Sequence, residues 1–92
     1  MIRSFRHKGL EAFFTRSERR GIDAKQADRI RRILDRLDAA SRREDMNLPG
    51  YRVHALKGDR NGIFAVAVSG NWRITFRFQE GDAFDVNLED YH

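Results

Sequence analysis

Apolar positions in the first quarter of the chain recur at helical spacing. Leu10, Phe13 and Phe14 lie three and four residues apart, so they share one face of a helix. This helix is predicted over residues 8–21, because a pair of arginines and then a glycine stand at its far end. Residues 2–5 are expected to form a short strand before it.

A second and longer helix is predicted over residues 24–40. Asp23 stands directly before it and suits the N-cap position, because a carboxylate accepts hydrogen bonds from the first N–H groups of a helix. Steps of three and four residues connect its apolar stripe, which consists of Ala27, Ile30, Ile33, Leu34, Leu37 and Ala40. The apolar faces of the two helices are expected to pack together as an antiparallel hairpin. Residues 41–50, which include the one proline, are predicted to be irregular.

After residue 50 the period of the pattern changes to two residues, which is typical of strands. Residues 63–68 are apolar on both faces, whereas residues 72–78 and 84–89 alternate between apolar and polar. The positions expected to face the helices are Trp72, Ile74, Phe76, Phe78, Phe84, Val86 and Leu88. Short turns at residues 69–71 and 80–82 predict an antiparallel meander.

These elements predict an α+β fold in two layers, with an N-terminal helix hairpin packed on an antiparallel β-sheet. A length of 92 residues suits a single domain over residues 1–92. The chain contains no cysteine, so disulfides and thiolate metal ligands are excluded. No apolar run approaches the roughly 20 residues that cross a bilayer, and the first residues lack the apolar core of a secretory signal. A cytoplasmic location is therefore expected.

Charge is unevenly distributed along the chain. The net charge is +4, with thirteen Lys/Arg against eight Asp/Glu in residues 1–46 and five against six in residues 47–92. A basic helical half attracts polyanions, most commonly nucleic acid. A solvated helical surface explains the same charge, although the dominance of arginine favours bidentate contacts to phosphate or carboxylate.

The sheet face opposite the helices is the candidate place for chemistry. Arg73, Thr75 and Arg77 are expected to line it. A hairpin that turns at residues 80–82 pairs residue 73 with about residue 89. Arg73 is therefore expected to lie beside the stretch Asp90-Tyr91-His92, which supplies a carboxylate, a phenol and an imidazole at the same end of the sheet.

A second group of polar residues lies in the loop-rich segment 51–62. His54 alone is compatible with a structural histidine, and Lys57 alone with a charged turn. The segment lacks the glycine spacing of a P-loop.

A metal site and a serine nucleophile find little support in the spacing. The three histidines, His7, His54 and His92, do not stand at the ligand spacings typical of zinc sites, so no metal is expected. The nucleophile elbow of Ser/His/Asp hydrolases is also missing.

An ordered set of residues resembles a known family. The set comprises His54-x-Leu56-x-Gly58-Asp59-Arg60-x-Gly62, Asn71-Trp72-Arg73-Ile74-x-Phe76, Asp90-Tyr91-His92 and, at the start, Ile2-Arg3-Ser4-Phe5 with Lys8-Gly9-Leu10. It resembles the HigB toxins of the RelE superfamily of bacterial type II toxin–antitoxin systems, and the resemblance covers essentially the whole chain. One departure lies at Ile63-Phe64-Ala65, where an aromatic residue is nevertheless kept.

The resemblance implies a metal-free, cofactor-free endoribonuclease that cuts mRNA in the ribosomal decoding site through the ribose 2′-OH. It also implies a helix-turn-helix antitoxin that neutralises the toxin and represses the shared operon, with operator DNA bound only through the complex. No membrane partner is implied. The family's active-site positions correspond to His54, Lys57, Arg73, Asp90, Tyr91 and His92.

The basic helices are then candidates for contacts with ribosomal RNA. The candidate residues are Arg29, Arg32, Arg36, Arg42 and Arg43. Two alternatives remain open at this point. One is a non-catalytic basic module that binds nucleic acid or a partner protein, and the other is a ribonuclease that acts without ribosomes.

Overall fold

The computed structural model describes residues 1–91 and confirms the α+β class. The helices are α1 (Lys8–Arg16) and α2 (Ala27–Ala39), and the strands are β1 (His54–Ala55), β2 (Ile63–Ser69), β3 (Trp72–Gln79) and β4 (Asp82–Asp90). The four strands form one antiparallel sheet in the order β1-β2-β3-β4. Both helices contribute to one hydrophobic core with one face of this sheet. No helix within residues 1–91 is long and apolar enough to cross a membrane.

Helix α1 is shorter than its pattern predicts. It ends at Arg16 because Ser17 adopts a left-handed conformation with φ of 59° and turns its N–H back to the helix. Gly21, the predicted end of the helix, instead allows two backbone segments to meet. A Cβ atom at Gly21 would lie 2.8 Å from the Cα atom of Gly9. The contact brings the segment before α2 directly against the start of α1.

Helix α2 begins three residues later than predicted, at Ala27. Asp23 does not cap it, because its Oδ1 atom accepts a hydrogen bond from the N–H of Lys25 at 2.9 Å and so forms a separate turn. The predicted apolar stripe is confirmed, since all six of its residues are buried. The predicted irregular stretch contains a short 3₁₀ helix, Arg43–Met46, and Met46 is fully buried in the core.

A β-bulge in β4 changes which residues face the helices. Thr75 pairs with Asn87, but Arg77 pairs with Phe84, so β4 has one extra residue at this point. The extra residue lies around Asp85, whose φ is 54°. Phe84 therefore shares the face of Arg77 and not that of Val86, and the predicted common face of these two residues was wrong.

Trp72 also departs from its predicted place in the core. Its neighbours on the same side of β3, Ile74 and Phe76, are buried, but Trp72 is 39% exposed. The cause is its position at the end of the strand, next to a second irregularity in the pairing of β2 with β3.

Both edges of the sheet differ from the predicted meander. The short strand β1 adds a fourth member, paired through His54 with Ala65. At the other edge, the segment predicted as a short strand makes only two isolated parallel bridges, Ile2 with Ala83 and Phe5 with Val86. This segment covers the outer edge of β4, which would otherwise expose unpaired backbone groups.

Candidate active site

The face of the sheet away from the helices, here called the open face, carries two rows of paired positions. Residues that pair directly across antiparallel strands point to the same side. One row consists of His54, Ala65, Thr75 and Asn87, and the next consists of Ala67, Arg73 and Glu89. The two alanines have small side chains, so they leave a depression in the middle of this face. The larger polar side chains of the two rows surround this depression.

His54 and Tyr91 approach each other from opposite edges of the sheet. The N–H of Tyr91 donates to the carbonyl oxygen of Asn71 at 2.7 Å, which holds the chain directly after β4 against the turn before β3. From there the Tyr91 ring reaches His54 on β1, with 6.3 Å between ring centroids and 59° between ring planes. The Tyr91 side chain thus spans the open face.

The imidazole of His54 has a defined orientation. Its Nδ1 atom lies 3.2 Å from the carbonyl oxygen of Arg52. A carbonyl oxygen only accepts, so this contact places the ring proton on Nδ1 and leaves Nε2 with a lone pair in the neutral ring. Arg52 has φ of 51°, an uncommon conformation for a residue with a side chain, and such backbone strain concentrates at functional sites.

Arg73 occupies the predicted register position, because the bulge in β4 adds one residue to the pairing that begins at Gln79 and Asp82. It pairs with Glu89, one step from the pair of Trp72 with Asp90. Its Nη1 atom donates to the carbonyl oxygens of Gly70 and Trp72 at 2.7 and 3.0 Å, which anchors one side of the guanidinium at the end of the sheet. Asp90 is exposed, and strand alternation directs it to the face opposite Glu89.

Lys57 lies on the connection between β1 and β2 and is exposed. It directly precedes a short 3₁₀ turn, Gly58–Arg60, in which the N–H of Arg60 donates to the carbonyl oxygen of Lys57 at 3.3 Å. Gly58 has φ of 68°. The side chain of Arg60 folds across the open face to Glu89, so the segment that carries Lys57 is attached to this face.

Glu89 is the most connected carboxylate on the open face, and the sequence pattern did not identify it as a site residue. Its Oε2 atom accepts hydrogen bonds from Arg60 Nη2 at 2.5 Å, Thr75 Oγ1 at 2.5 Å and Asn87 Nδ2 at 3.4 Å. The Arg60 guanidinium holds the pKa of Glu89 below its ordinary value, against the opposing effect of burial. Conversely, the hydrogen bond to Glu89 raises the pKa of Arg60.

The two other histidines of the sequence lie outside this group. His92 lies outside the described residues. His7 caps helix α1, because its Nδ1 atom accepts a hydrogen bond from the N–H of Leu10 at 2.9 Å. Within residues 1–91, no three His, Asp or Glu side chains cluster closely enough to hold a metal ion.

Known proteins match the chain over its whole length. The family model described as the RelE-like toxin of the type II toxin–antitoxin system HigB matches residues 3–92. The chain belongs to the HigB-like toxin family. It is 46% identical to the Endoribonuclease HigB of Proteus vulgaris over 92 residues, which cover 100% of both chains. It is 30% identical to Toxin HigB-1 of Vibrio cholerae serotype O1 over 99% of this chain and 98% of that protein.

The five basic residues proposed for RNA contacts fall into two groups in this HigB-like toxin. Arg29 donates to the carbonyl oxygens of Ala67 and Gly50 and stacks on Tyr51, with 5.4 Å between its Cζ atom and the ring centroid. Arg43 is half-buried over the ring of Phe64 at 4.7 Å. The exposed residues of the set are Arg32, Arg36 and Arg42.

The open face of the HigB-like toxin thus brings together part of the predicted site. His54 and Tyr91 are in contact, Arg73 lies in the adjacent row, and Lys57 lies on a segment attached to the same face. The pairing of residues 73 and 89 was the one signal in the sequence that could have identified Glu89. Nothing in the spacing of the residues indicated Arg60 as its partner.

Proposed function

We propose that this HigB-like toxin is an endoribonuclease that cleaves mRNA held in the decoding site of the ribosome. Residues 1–92 form one toxin domain that acts in the cytoplasm, where translation takes place. Family membership and the relative named Endoribonuclease HigB support the activity. The observation that carries the proposal is the contact between His54 and Tyr91, which places a proton-transfer group beside an aromatic ring on a shallow polar face.

The reaction requires three chemical contributions. A base removes the proton of a ribose 2′-OH, whose oxygen then attacks the adjacent phosphorus. Negative charge develops on the phosphorane oxygens, and an acid protonates the 5′-oxygen as its bond to phosphorus breaks. The products are a 2′,3′-cyclic phosphate and a free 5′-OH. Atoms and charges balance without a metal or a cofactor.

Histidine suits both proton transfers because its ordinary pKa of about 6.5 lies near neutral pH. His54 contributes the Nε2 lone pair of its neutral ring, which favours the role of general base. His92 is its counterpart as general acid, with Asp90 beside it in the sequence. The opposite assignment, with His92 as the base and His54 as the acid, uses the same two residues, and the pH–rate profiles of the two single variants distinguish the assignments. Asp90 has no proton-transfer role in either assignment, because strand alternation directs its side chain away from the open face.

The cations and the phenol carry the remaining roles. Lys57 and Arg73 stabilise the charge that develops on the phosphorane, since both side chains donate hydrogen bonds to phosphate. Tyr91 stacks on a base or orients the nucleotide, as aromatic rings do with unpaired RNA. Two proton-transfer groups contribute about 10²–10⁴-fold each. A cationic contact adds about 10²–10³-fold by analogy with an oxyanion-hole donor. The product reaches the range of enzymatic acceleration.

Two kinds of partner belong to the proposal. The exposed residues Arg32, Arg36 and Arg42 contact the ribosomal RNA backbone and supply salt-dependent affinity without sequence preference. Arg29 and Arg43 assist from more buried positions. A helix-turn-helix antitoxin encoded beside the toxin neutralises it, and operator DNA is bound through that complex.

The test is mRNA cleavage by purified toxin, with and without translating ribosomes. Wild-type toxin is expected to cut only when ribosomes are present, and His54→Gln is expected to reduce the rate by about 10²-fold or more, because glutamine transfers no proton. Toxin treated with EDTA and then exchanged into ribosome buffer is expected to keep full activity. Cleavage of naked RNA at the same rate would show a ribosome-independent nuclease. No cleavage under any condition would favour a non-catalytic binding module.

A further inference from the structure

Glu89 joins three separate segments of the chain at a single atom. Its Oε2 atom accepts from Arg60 on the β1–β2 connection, from Thr75 on β3 and from Asn87 on its own strand. None of these four residues belongs to the set of active-site positions that the family resemblance implies. Three hydrogen bonds on one carboxylate oxygen are a costly arrangement for a surface residue, because each ordered side chain loses rotamer entropy.

A buried hydroxyl group fixes the position of the Glu89 carboxylate. Thr75 is only 2% exposed, and its hydroxyl lies 2.5 Å from Oε2. The side chain of Glu89 is 20% exposed, whereas that of its other partner, Arg60, is 38% exposed. The buried threonine therefore fixes the carboxylate, and the carboxylate in turn fixes the more exposed arginine.

Three connections lead from Glu89 to residues with a proposed role in cleavage. Arg60 closes the 3₁₀ turn that Lys57 precedes, and its N–H donates to the carbonyl oxygen of Lys57. Arg73 pairs with Glu89 across the sheet. Tyr91 follows Glu89 by two residues, which returns its side chain to the same face. The carboxylate thus lies at the centre of the candidate site but is poorly suited to proton transfer, because the Arg60 guanidinium lowers its pKa and so moves it further from neutral pH.

We propose that Glu89 is a positioning residue, which acts through Arg60 to hold the Lys57-bearing turn over the open face beside Arg73 and Tyr91. The proposal rests on the proposed endoribonuclease function. Its physical reason is the steep dependence of catalysis on geometry, because a displacement of about 1 Å at a charged group costs on the order of 10²-fold in rate. Without the carboxylate, the connection from β1 to β2 keeps its backbone turn and the buried Leu56, but the Arg60 side chain loses the anchor that holds the turn to the open face.

The first experiment compares Glu89→Gln with wild type in single-turnover cleavage of mRNA on programmed ribosomes. Glutamine preserves the size of the side chain but removes the charge that holds Arg60. The rate at saturating ribosomes is expected to fall by about 10–100-fold, as for other groups that orient a catalytic residue. The ribosome concentration at half-maximal rate is expected to change little, because the exposed arginines that bind RNA are untouched. Arg60→Ala is expected to have the same effect.

Asp82→Asn is the matched control. Asp82 also lies on β4 and also pairs with an arginine, since its Oδ2 atom is 3.1 Å from Arg3 Nε. Its side chain is 24% exposed, close to the 20% of Glu89. It lies at the opposite end of β4 from Glu89, where it pairs with Gln79. Wild-type cleavage is expected for this variant.

The second experiment separates positioning from a general loss of structure. In a Lys57→Ala background, the further change Glu89→Gln is expected to reduce the rate by less than about threefold, because the residue that Glu89 positions is already absent. A purely structural role would instead multiply the two losses in rate.

The outcomes distinguish the proposal from the function on which it rests. Wild-type toxin that cuts no RNA with ribosomes overturns the proposed function and this proposal with it. Wild-type toxin that cuts, with Glu89→Gln equally active, overturns the positioning role alone. Losses that multiply in the double variant also overturn the positioning role alone. Full activity of Lys57→Ala overturns the positioning role together with the proposed role of Lys57 at the phosphorane, but not the endoribonuclease function.

Discussion

The hydrogen bond from Thr75 to Glu89 offers a direct test of how the open face is held together. The substitution Thr75→Val removes one hydroxyl donor and keeps the number of heavy atoms, so no cavity forms. Thr75 is 2% exposed, so its side of the Glu89 carboxylate is shielded from water, whereas the Glu89 side chain as a whole is 20% exposed. The carboxylate keeps its contacts with Arg60 and Asn87.

The expected cost follows from the charge of the acceptor. A hydrogen bond to a charged group contributes about 1.5–3 kcal/mol, and the two remaining donors offset part of the loss. We expect Thr75→Val to lower the free energy of unfolding by about 1–2 kcal/mol at pH 7. For a domain of this size, this corresponds to a fall of about 4–16 °C in melting temperature.

The pH dependence of the stability lost in Thr75→Val identifies the cause of that loss. The Arg60 guanidinium and then the Thr75 hydroxyl lower the pKa of Glu89 in the folded protein from 4.5. A carboxyl group with a lowered folded pKa contributes stability above its unfolded pKa, and this stability is lost as the pH falls through the folded value. The difference between wild type and Thr75→Val is therefore expected to be full at pH 7 and to shrink as the pH is lowered from about 4.5.

Urea unfolding at pH 7 and pH 3 measures both quantities, with Thr75→Ser as the control. Serine keeps the hydroxyl donor and loses one buried methyl group, so its cost is expected to be equal at the two pH values. A loss for Thr75→Val that is also equal at the two pH values would refute the charge-assisted bond. A loss below about 0.5 kcal/mol at pH 7 would show that the bond contributes nothing measurable.

Two further predictions concern the backbone and the basic surface. Gly21→Ala places a Cβ atom 2.8 Å from the Cα atom of Gly9, and we expect this overlap to cost about 1–3 kcal/mol in urea unfolding; a cost near zero would show that the segment shifts freely. The double substitution of Arg32 and Arg36 by glutamate is expected to weaken ribosome binding and to reduce the slope of log K against log salt concentration by about 2. Arg16→Glu, at the exposed end of α1, serves as the control. Equal salt slopes for the two variants would show that Arg32 and Arg36 are solvent-exposed charges that do not contact RNA.

The sequence predicted the helical layer well where burial alone decides the outcome. The apolar stripe of α2 was recognised because helix stability in proteins comes mainly from packing of an apolar face. That face is visible in the sequence as apolar residues three and four positions apart. Both predicted helix boundaries that failed depended on local backbone chemistry. Ser17 ends α1 in a left-handed conformation that serine adopts only in context, and Asp23 uses its carboxylate in a turn of its own. Residue propensities instead favoured an end of α1 at Gly21 and an N-cap of α2 at Asp23.

The candidate site was predictable only as far as strand register reaches. The partner of Arg73 was predicted correctly because two differences offset each other. The turn after β3 is one residue shorter than the predicted turn at residues 80–82, and the bulge in β4 adds one residue before the pair of Arg73 with Glu89 is reached. The network around Glu89 was missed, since it depends on a long arginine side chain from a distant turn. Periodicity describes which face a residue occupies but not which distant side chain it contacts.

The bulge in β4 determines which of the following residues face the core and which face the open side of the sheet. Without the extra residue, the pairing of Arg77 with Phe84 would continue as Arg73 with Leu88. Leu88 would then lie on the open face, and Glu89 and Tyr91 would point to the helices. One extra residue at Asp85 reverses this order, so that Val86 is buried in the core and Glu89 meets Thr75. The placement of Tyr91 beside His54 therefore depends on a single inserted residue more than five positions away in the strand, whose positive φ a carboxylate side chain tolerates.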